Sequence, residues 1–164
     1  RKIVSIFKIT YVRDITNMKK LILLPLFFMC VSAYAVPNVW DSEFGQGNMN
    51  YYIYDAKDRL LRISCNSGAG LDYDPYVTLE IGNKTYQNTD SKYPLSLLLD
   101  NKTAISPPGS TGSVRGSNSW NKLVKGISKA RKIDVYINNK KLTTFTPPKP
   151  NIDEVAIEIA DCSV

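Results

Sequence analysis

The chain is 164 residues long, 43% hydrophobic and 22% charged, which are the proportions of an ordinary globular domain and disfavour collagen-like, disordered and multi-domain readings. It contains no histidine, which removes His-based triads, the commonest general base and every His-ligated metal site. The formal net charge of +6 invites an anionic partner such as nucleic acid, so where the positive charges lie decides whether that reading stands.

They lie disproportionately at the start. From Met18 the chain reads Lys19-Lys20, an uncharged run over 21–31, then Ser32-Ala33-Tyr34-Ala35 before Val36-Pro37. This is the three-part layout of a signal peptide, with cleavage expected after Ala35. The apolar run is shorter than the roughly 20 residues a helix needs to cross a bilayer of about 30 Å. Cys30 follows Phe27, Phe28 and Met29, where a lipidation signal would place small residues. Residues 1–17 precede the expected start and read as an upstream extension. Residues 1–35 hold six basic side chains and one acidic one, so 36–164 carry 15 basic against 14 acidic. Nucleic-acid binding loses its main support.

Export would deliver two cysteines, Cys65 and Cys162, to an oxidising compartment, where they are expected to bond to each other. Such a bridge closes most of the mature chain into one loop and contributes on the order of 4–5 kcal/mol in the chain-entropy model. It also removes both thiols as candidate nucleophiles.

Along the mature chain, 48–54 and 60–65 read as a hairpin around 55–58. A Gly- and Asp-rich loop over 66–75 follows. The alternating segment 76–81 turns at Gly82-Asn83 into 84–87, with the Gly-first chemistry of a type II′ turn. A third hairpin turns at Asp100-Asn101 between 95–99 and 103–106. Residues 107–118, with Gly109, Gly112 and Gly116, read as a flexible loop carrying Arg115. From Ser119 the period changes: Trp120, Leu123, Val124 and Ile127 form one helical stripe, with Lys122, Lys125, Lys129 and Lys132 opposite. A fourth hairpin turns at Asn138-Asn139 between 132–137 and 140–145. After Pro147, Pro148 and Pro150, Asn151 can cap a terminal helix with Glu154 at N3, although Val155, Ile157 and Ile159 also alternate as a strand would. The fold class expected is α+β, an antiparallel sheet of hairpins with two helices packed on it and one disulfide, forming a single domain over 36–164.

This order, with the 60–65 strand ending in Cys65, Trp120 on its amphipathic helix, Thr144-Phe145 closing a strand and a last helix ending at Cys162, resembles that of small exported bacterial proteins. These are the VasI-type accessory proteins of type VI secretion and the invasion-associated locus B proteins. The resemblance spans 48–162 and implies an exported α+β domain with one disulfide and an accessory or binding role; it transfers no catalytic residues.

Several constellations compete with bland readings. Asp72 and Asp74 beside Gly68 and Gly70 could offer oxygens to calcium, but turn chemistry accounts for the same residues, and no metal or cofactor is expected. Asp72, Asp74 and Glu80 could supply a pair of carboxylates for glycoside hydrolysis, yet nothing in the sequence fixes their separation. The Lys face, with Arg131 and Lys141 near it, could meet an acidic protein, an anionic polymer or lipid headgroups, or be a solvated helix exterior. Tyr52 and Tyr54 read as core residues, leaving Tyr51 to point outward as a contact. The reading that results is a non-enzymatic accessory or binding protein of the bacterial envelope, periplasmic or secreted, with a protein partner engaged through Arg115, Lys122, Lys125, Lys129 and Tyr51. The alternative is an inhibitor or immunity protein that inserts the 107–118 loop into an envelope-targeted enzyme.

Overall fold

Pairs of residues able to adopt left-handed backbone set the reversals of this chain. In the computed structural model, which describes residues 36–68, 70 and 73–164, Gln46-Gly47, Asp100-Asn101 and Asn138-Asn139 all take positive φ at both positions, the requirement of a type I′ turn. At Gly82-Asn83 only the glycine does so, with φ of 56°, as the II′ reading requires. The expected signal peptide and cleavage point, Cys30 and Asp72 lie outside the described residues.

These turns build two antiparallel sheets. The first is a meander of β1 (Trp40–Gly45), β2 (Asn48–Tyr54), β3 (Leu60–Asn66), β4 (Tyr76–Ile81) and β5 (Lys84–Gln87) in that spatial order. The second contains β6 (Leu95–Leu99), β7 (Thr103–Ile105), β8 (Ile133–Ile137) and β9 (Lys140–Phe145) in the order β7-β6-β8-β9. Helix α1 (Val114–Ile127) carries the chain from the edge strand β7 to β8, and α2 (Lys149–Ala160) follows β9. The α+β class and the hairpins expected from the sequence are present, with the hairpins divided between two sheets. Neither helix is long and apolar enough to cross a membrane.

One core joins the layers. Tyr51, Ile53, Leu61, Ile63, Val77 and Leu79 from the first sheet share a single buried cluster with Leu97, Ile133, Val135 and Phe145 from the second and with Trp120, Leu123, Val124 and Ile127 of α1. Trp120 is fully buried, and its indole N–H donates to the carbonyl of Cys162 at 2.8 Å. Cys162 is bonded to Cys65 across 97 positions of sequence, with Cα atoms 5.3 Å apart.

Three local expectations are corrected. Strand β1 was not legible: Trp40 is its one buried residue, the acidic Asp41 and Glu43 are poor strand formers, and its pairing with β2 is imposed by the Gln46-Gly47 turn. Helix α1 begins at Val114, because Ser113 caps it by accepting from the Gly116 N–H at 3.1 Å, so Arg115 stands in its first turn instead of in a loop. The remainder of that loop is tied down. Asp74 accepts from the Thr111 N–H at 2.9 Å and from the Thr111 hydroxyl, and the Asn88 side chain donates to the Pro108 carbonyl. Finally, Asn151 does not cap α2, whose N-cap is Pro148. Its amide grips strand β1 instead, accepting from the Trp40 N–H at 2.7 Å and donating to the Trp40 carbonyl at 3.0 Å.

The two sheets are also clamped by a buried carboxylate. Asp55, in the β2–β3 turn, is 4% exposed and accepts from the Lys57 and Arg59 N–H groups, the Arg59 guanidinium and the Thr143 hydroxyl of β9. Arg59 in turn donates to the Leu142 carbonyl. Burial alone would raise the pKa of Asp55, but the hydrogen bonds from Thr143, Arg59 and Lys57 outweigh it and hold the carboxyl below its ordinary range.

Two outcomes are expected from this architecture. Reduction, or the Cys65→Ser/Cys162→Ser pair, should lower the unfolding free energy by about 4 kcal/mol in denaturant titrations, with wild type plus reductant matching the variant. Because the folded-state pKa of Asp55 is depressed, its contribution is complete at neutral pH and is lost as pH falls below about 4, through the folded value. Asp55→Ala should therefore cost about 3 kcal/mol at pH 7, and the gap between variant and wild type should narrow in thermal melts taken towards pH 3.

Candidate functional site

Helix α1 presents its Lys residues to solvent because its opposite stripe is buried, and Lys122 and Lys125 stand on the exposed side. Beside them lies the β6–β7 hairpin. Gly126 governs how closely the two approach: a Cβ there would stand 2.9 Å from Leu99 Cδ1 and 3.4 Å from Ile105 Cδ1. The bare glycine thus lets the hairpin pack closely on the helix, and a groove of about 420 Å³ lies beside that contact, lined by Leu99, Ile105, Thr103 and Gly126 and bordered by Lys102, Lys122 and Lys125. Among the described residues, none of these three lysines has an ion-pair partner. Asp100 also lines the groove, but its carboxylate accepts from the Arg131 and Lys132 N–H groups. An apolar floor with unpaired cations at its rim suits a ligand that is apolar in its middle and acidic at its edges.

The structure gathers only part of the set of residues expected from sequence. Lys122 and Lys125 share the groove, joined by Lys102, which sequence reasoning missed. The signal was available in the Asp100-Asn101 turn, which brings the residue after it back alongside the strand. Lys129 and Arg115 are exposed but do not line this groove. Lys132 and Lys141, expected near the free cationic face, are instead drawn to Asp134, at 3.3 and 2.6 Å. Asp134 is 2% exposed; burial would raise its pKa, but Lys141, Thr144 and Lys132 outweigh that and lower it.

Tyr51 is a correction. The β2 register places it on the inner face with Ile53, where it is 4% exposed and its hydroxyl donates to the Glu158 carbonyl at 3.1 Å. Tyr52 and Tyr54, expected in the core, are half-buried on the outer face, 6.0 Å apart in an edge-to-face pair. The aromatic pattern alternated as expected, but with the opposite phase, because the first strand of the sheet was not seen. Of the carboxylates considered for metal or hydrolysis, the two among the described residues have structural duties: Asp74 anchors Thr111, and Glu80 faces Arg62 at 3.7 Å.

A second concavity, of about 360 Å³, lies along strand β1 and helix α2 and is bordered by Trp40, Asp41, Ser42, Tyr52, Glu154 and Glu158. Its acidic border contrasts with the lysines of the first groove.

Comparison with known proteins places these features in a lineage. A family model described as YfjT matches residues 38–155, the span from just before β1 into α2. Two proteins of Escherichia coli (strain K12) are similar over nearly their whole length. Uncharacterized protein YfjT is 30% identical over 152 residues, covering 91% of this chain and 97% of that protein. Uncharacterized protein YkfB is 28% identical over 152 residues, with the same coverage. No solved structure matches significantly. These matches give no support to the resemblance to VasI-type and invasion-associated locus B proteins. The chain belongs to the YfjT family.

Proposed function

We propose that this protein is a non-enzymatic binding protein of the bacterial envelope, exported to an oxidising compartment, that holds an acidic partner protein in the groove between α1 and the β6–β7 hairpin. The observation that carries this reading is the apolar floor of that groove rimmed by Lys102, Lys122 and Lys125, all without ion-pair partners among the described residues. Long-stemmed cations around an apolar strip offer contact area and steering together. The buried carboxylates Asp55 and Asp134 are each saturated by structural donors, an arrangement suited to holding a shape. The bonded pair Cys65–Cys162 supports export, since such bridges persist in oxidising compartments.

A specific observation also favours the alternative, an inhibitor or immunity protein. The segment ahead of α1 is pinned by Asp74, Asn88 and the Ser117 hydroxyl bonded to the Thr111 carbonyl, and a loop fixed before binding loses little entropy on entering an enzyme cleft.

Lys102→Glu/Lys122→Glu/Lys125→Glu separates the two. The three positions are exposed, so thermal melts should stay close to wild type. Oxidised wild-type protein immobilised against envelope extract should retain a partner that elutes in about 0.5 M salt, and the triple variant should not retain it. A partner held by the triple variant but lost on deletion of 107–112 would establish the inhibitor reading instead. Amino-terminal sequencing of protein from the periplasmic fraction should begin at Val36.

A further inference from the structure

Strand β1 forms one edge of the first sheet, and its backbone parity can be read from two independent places. The Gln46-Gly47 turn is closed by the Gly45–Asn48 pair, so the backbone groups of Gly45, Glu43 and Asp41 face β2. At the other end, both the N–H and the carbonyl of Trp40 are taken by the Asn151 side chain, on the side away from β2. The polar backbone groups of Ser42 and Phe44 therefore face outward too. The Ser42 N–H is satisfied locally by Asp41 Oδ1 at 2.8 Å, and among the described residues the Ser42 carbonyl and the Phe44 N–H and carbonyl have no partner along the edge.

Asn151 already behaves there as a neighbouring strand would, donating to and accepting from one residue. Beyond it, α2 runs beside the edge with Asn151, Glu154, Val155 and Glu158 on the wall of the cleft. The border of that cleft continues around the strand onto the outer face of the sheet, through Asp41, Tyr52 and Tyr54. A chain laid along this edge would meet carboxylates on both sides. Side chains pointing to the outer face pass Asp41 and Glu43, and those pointing to the helix side pass Glu154 and Glu158. All four carboxylates are exposed, and none has an ion-pair partner among the described residues. Phe44, 68% exposed at the far end of the same edge, offers an apolar ring to a passing side chain.

We propose that the β1 edge is a strand-addition site for an extended polypeptide segment carrying Lys or Arg side chains on both of its faces. Main-chain hydrogen bonds to Ser42 and Phe44 supply binding, and the four carboxylates select cationic sequence. The half-buried Tyr52 and Tyr54 rings add faces on which an ammonium or guanidinium group can rest. The local field is negative enough to register on neighbouring phenols. Burial foremost, then Glu158 and Asp161, raises the pKa of Tyr51, and burial with Asp41 and Glu43 raises that of Tyr52. This site is distinct from the lysine-rimmed groove, and an exposed polar edge with acidic neighbours is otherwise protected from pairing with copies of itself by like-charge repulsion.

The test is a titration of the isotope-labelled, oxidised protein with acetyl-(Arg-Arg-Thr)2-amide, which carries Arg on both faces when extended, followed by amide NMR shifts, with acetyl-(Glu-Glu-Thr)2-amide as the comparison peptide. The Arg peptide should move the resonances of Ser42, Glu43, Phe44, Glu154 and Glu158 and slow the hydrogen exchange of the Phe44 amide; the Glu peptide should do neither. Phe44→Pro removes the outward donor at an edge position that tolerates proline and should weaken binding at least fivefold. Glu154→Gln/Glu158→Gln, at two exposed positions that keep the fold, should weaken it similarly and guard against misfolding of the proline variant. Undiminished binding in the carboxamide variant, equal response to the Glu peptide, or Arg-peptide shifts without protection of the Phe44 amide would each overturn the proposal. So would calcium ions alone reproducing the shifts and displacing the peptide.

Discussion

The Asp55 carboxylate fixes how the two sheets, which share one core, are oriented against each other. The first sheet is a meander whose strands pair only with sequence neighbours, and such a sheet has no intrinsic reason to seat against the β6–β9 sheet at one angle. Apolar burial brings the layers together without choosing an orientation, since it is non-directional. A carboxylate that must satisfy its lone pairs with the Lys57 and Arg59 N–H groups on its own turn and the Thr143 hydroxyl on β9 does choose one. The Arg59 guanidinium, bridging back to the Leu142 carbonyl, fixes the same junction from the other side. Removing either partner would leave a buried polar group without compensation, so the junction is cooperative.

With the layers fixed, the surface divides by charge. Residues 36–164 are almost balanced in charge, yet Lys102, Lys122 and Lys125 at the α1 groove and Asp41, Glu154 and Glu158 along β1 and α2, none ion-paired among the described residues, are segregated into separate concavities. Asp134 contributes to that segregation by holding Lys132 and Lys141, cations that would otherwise blur the pattern. A nearly neutral domain can in this way present two strongly polar faces, each able to steer a partner of opposite sign over about a Debye length.

Much of this fold was legible where chemistry is local. Gly82, Asp100-Asn101 and Asn138-Asn139 announce their turns because few residues tolerate positive φ, and Trp120, Leu123, Val124 and Ile127 announce α1 by spacing alone. What was not legible depends on distant partners. Nothing local in Trp40-Asp41-Ser42-Glu43-Phe44 alternates cleanly, and losing that strand inverted the expected sides of Tyr51 and Tyr52. Asn151 satisfies every local rule for a helix cap, yet a backbone 111 positions away claims its side chain. The lysine groove was half visible: Lys122 and Lys125 share a helical face, but Lys102 joins them only through the packing of a hairpin against Gly126.

The ties that seat the first sheet share a direction in sequence. Cys65 reaches Cys162, Tyr51 reaches Glu158, Trp40 reaches Asn151 and Asp55 reaches Thr143, so the earliest strands are each fastened by a residue from the last stretch of the chain. A chain that emerges amino terminus first can form its meander from neighbouring hairpins, but the inner face of that meander stays uncovered until Trp120 and then α2 have emerged. Assembly is therefore gated by arrival of the carboxyl-terminal helix, and the interval before it is when Tyr51, Ile53 and Ile63 are open to misassociation. A chain cut short before α2 would expose that apolar face permanently, which makes the last helix the element whose loss the fold can least absorb.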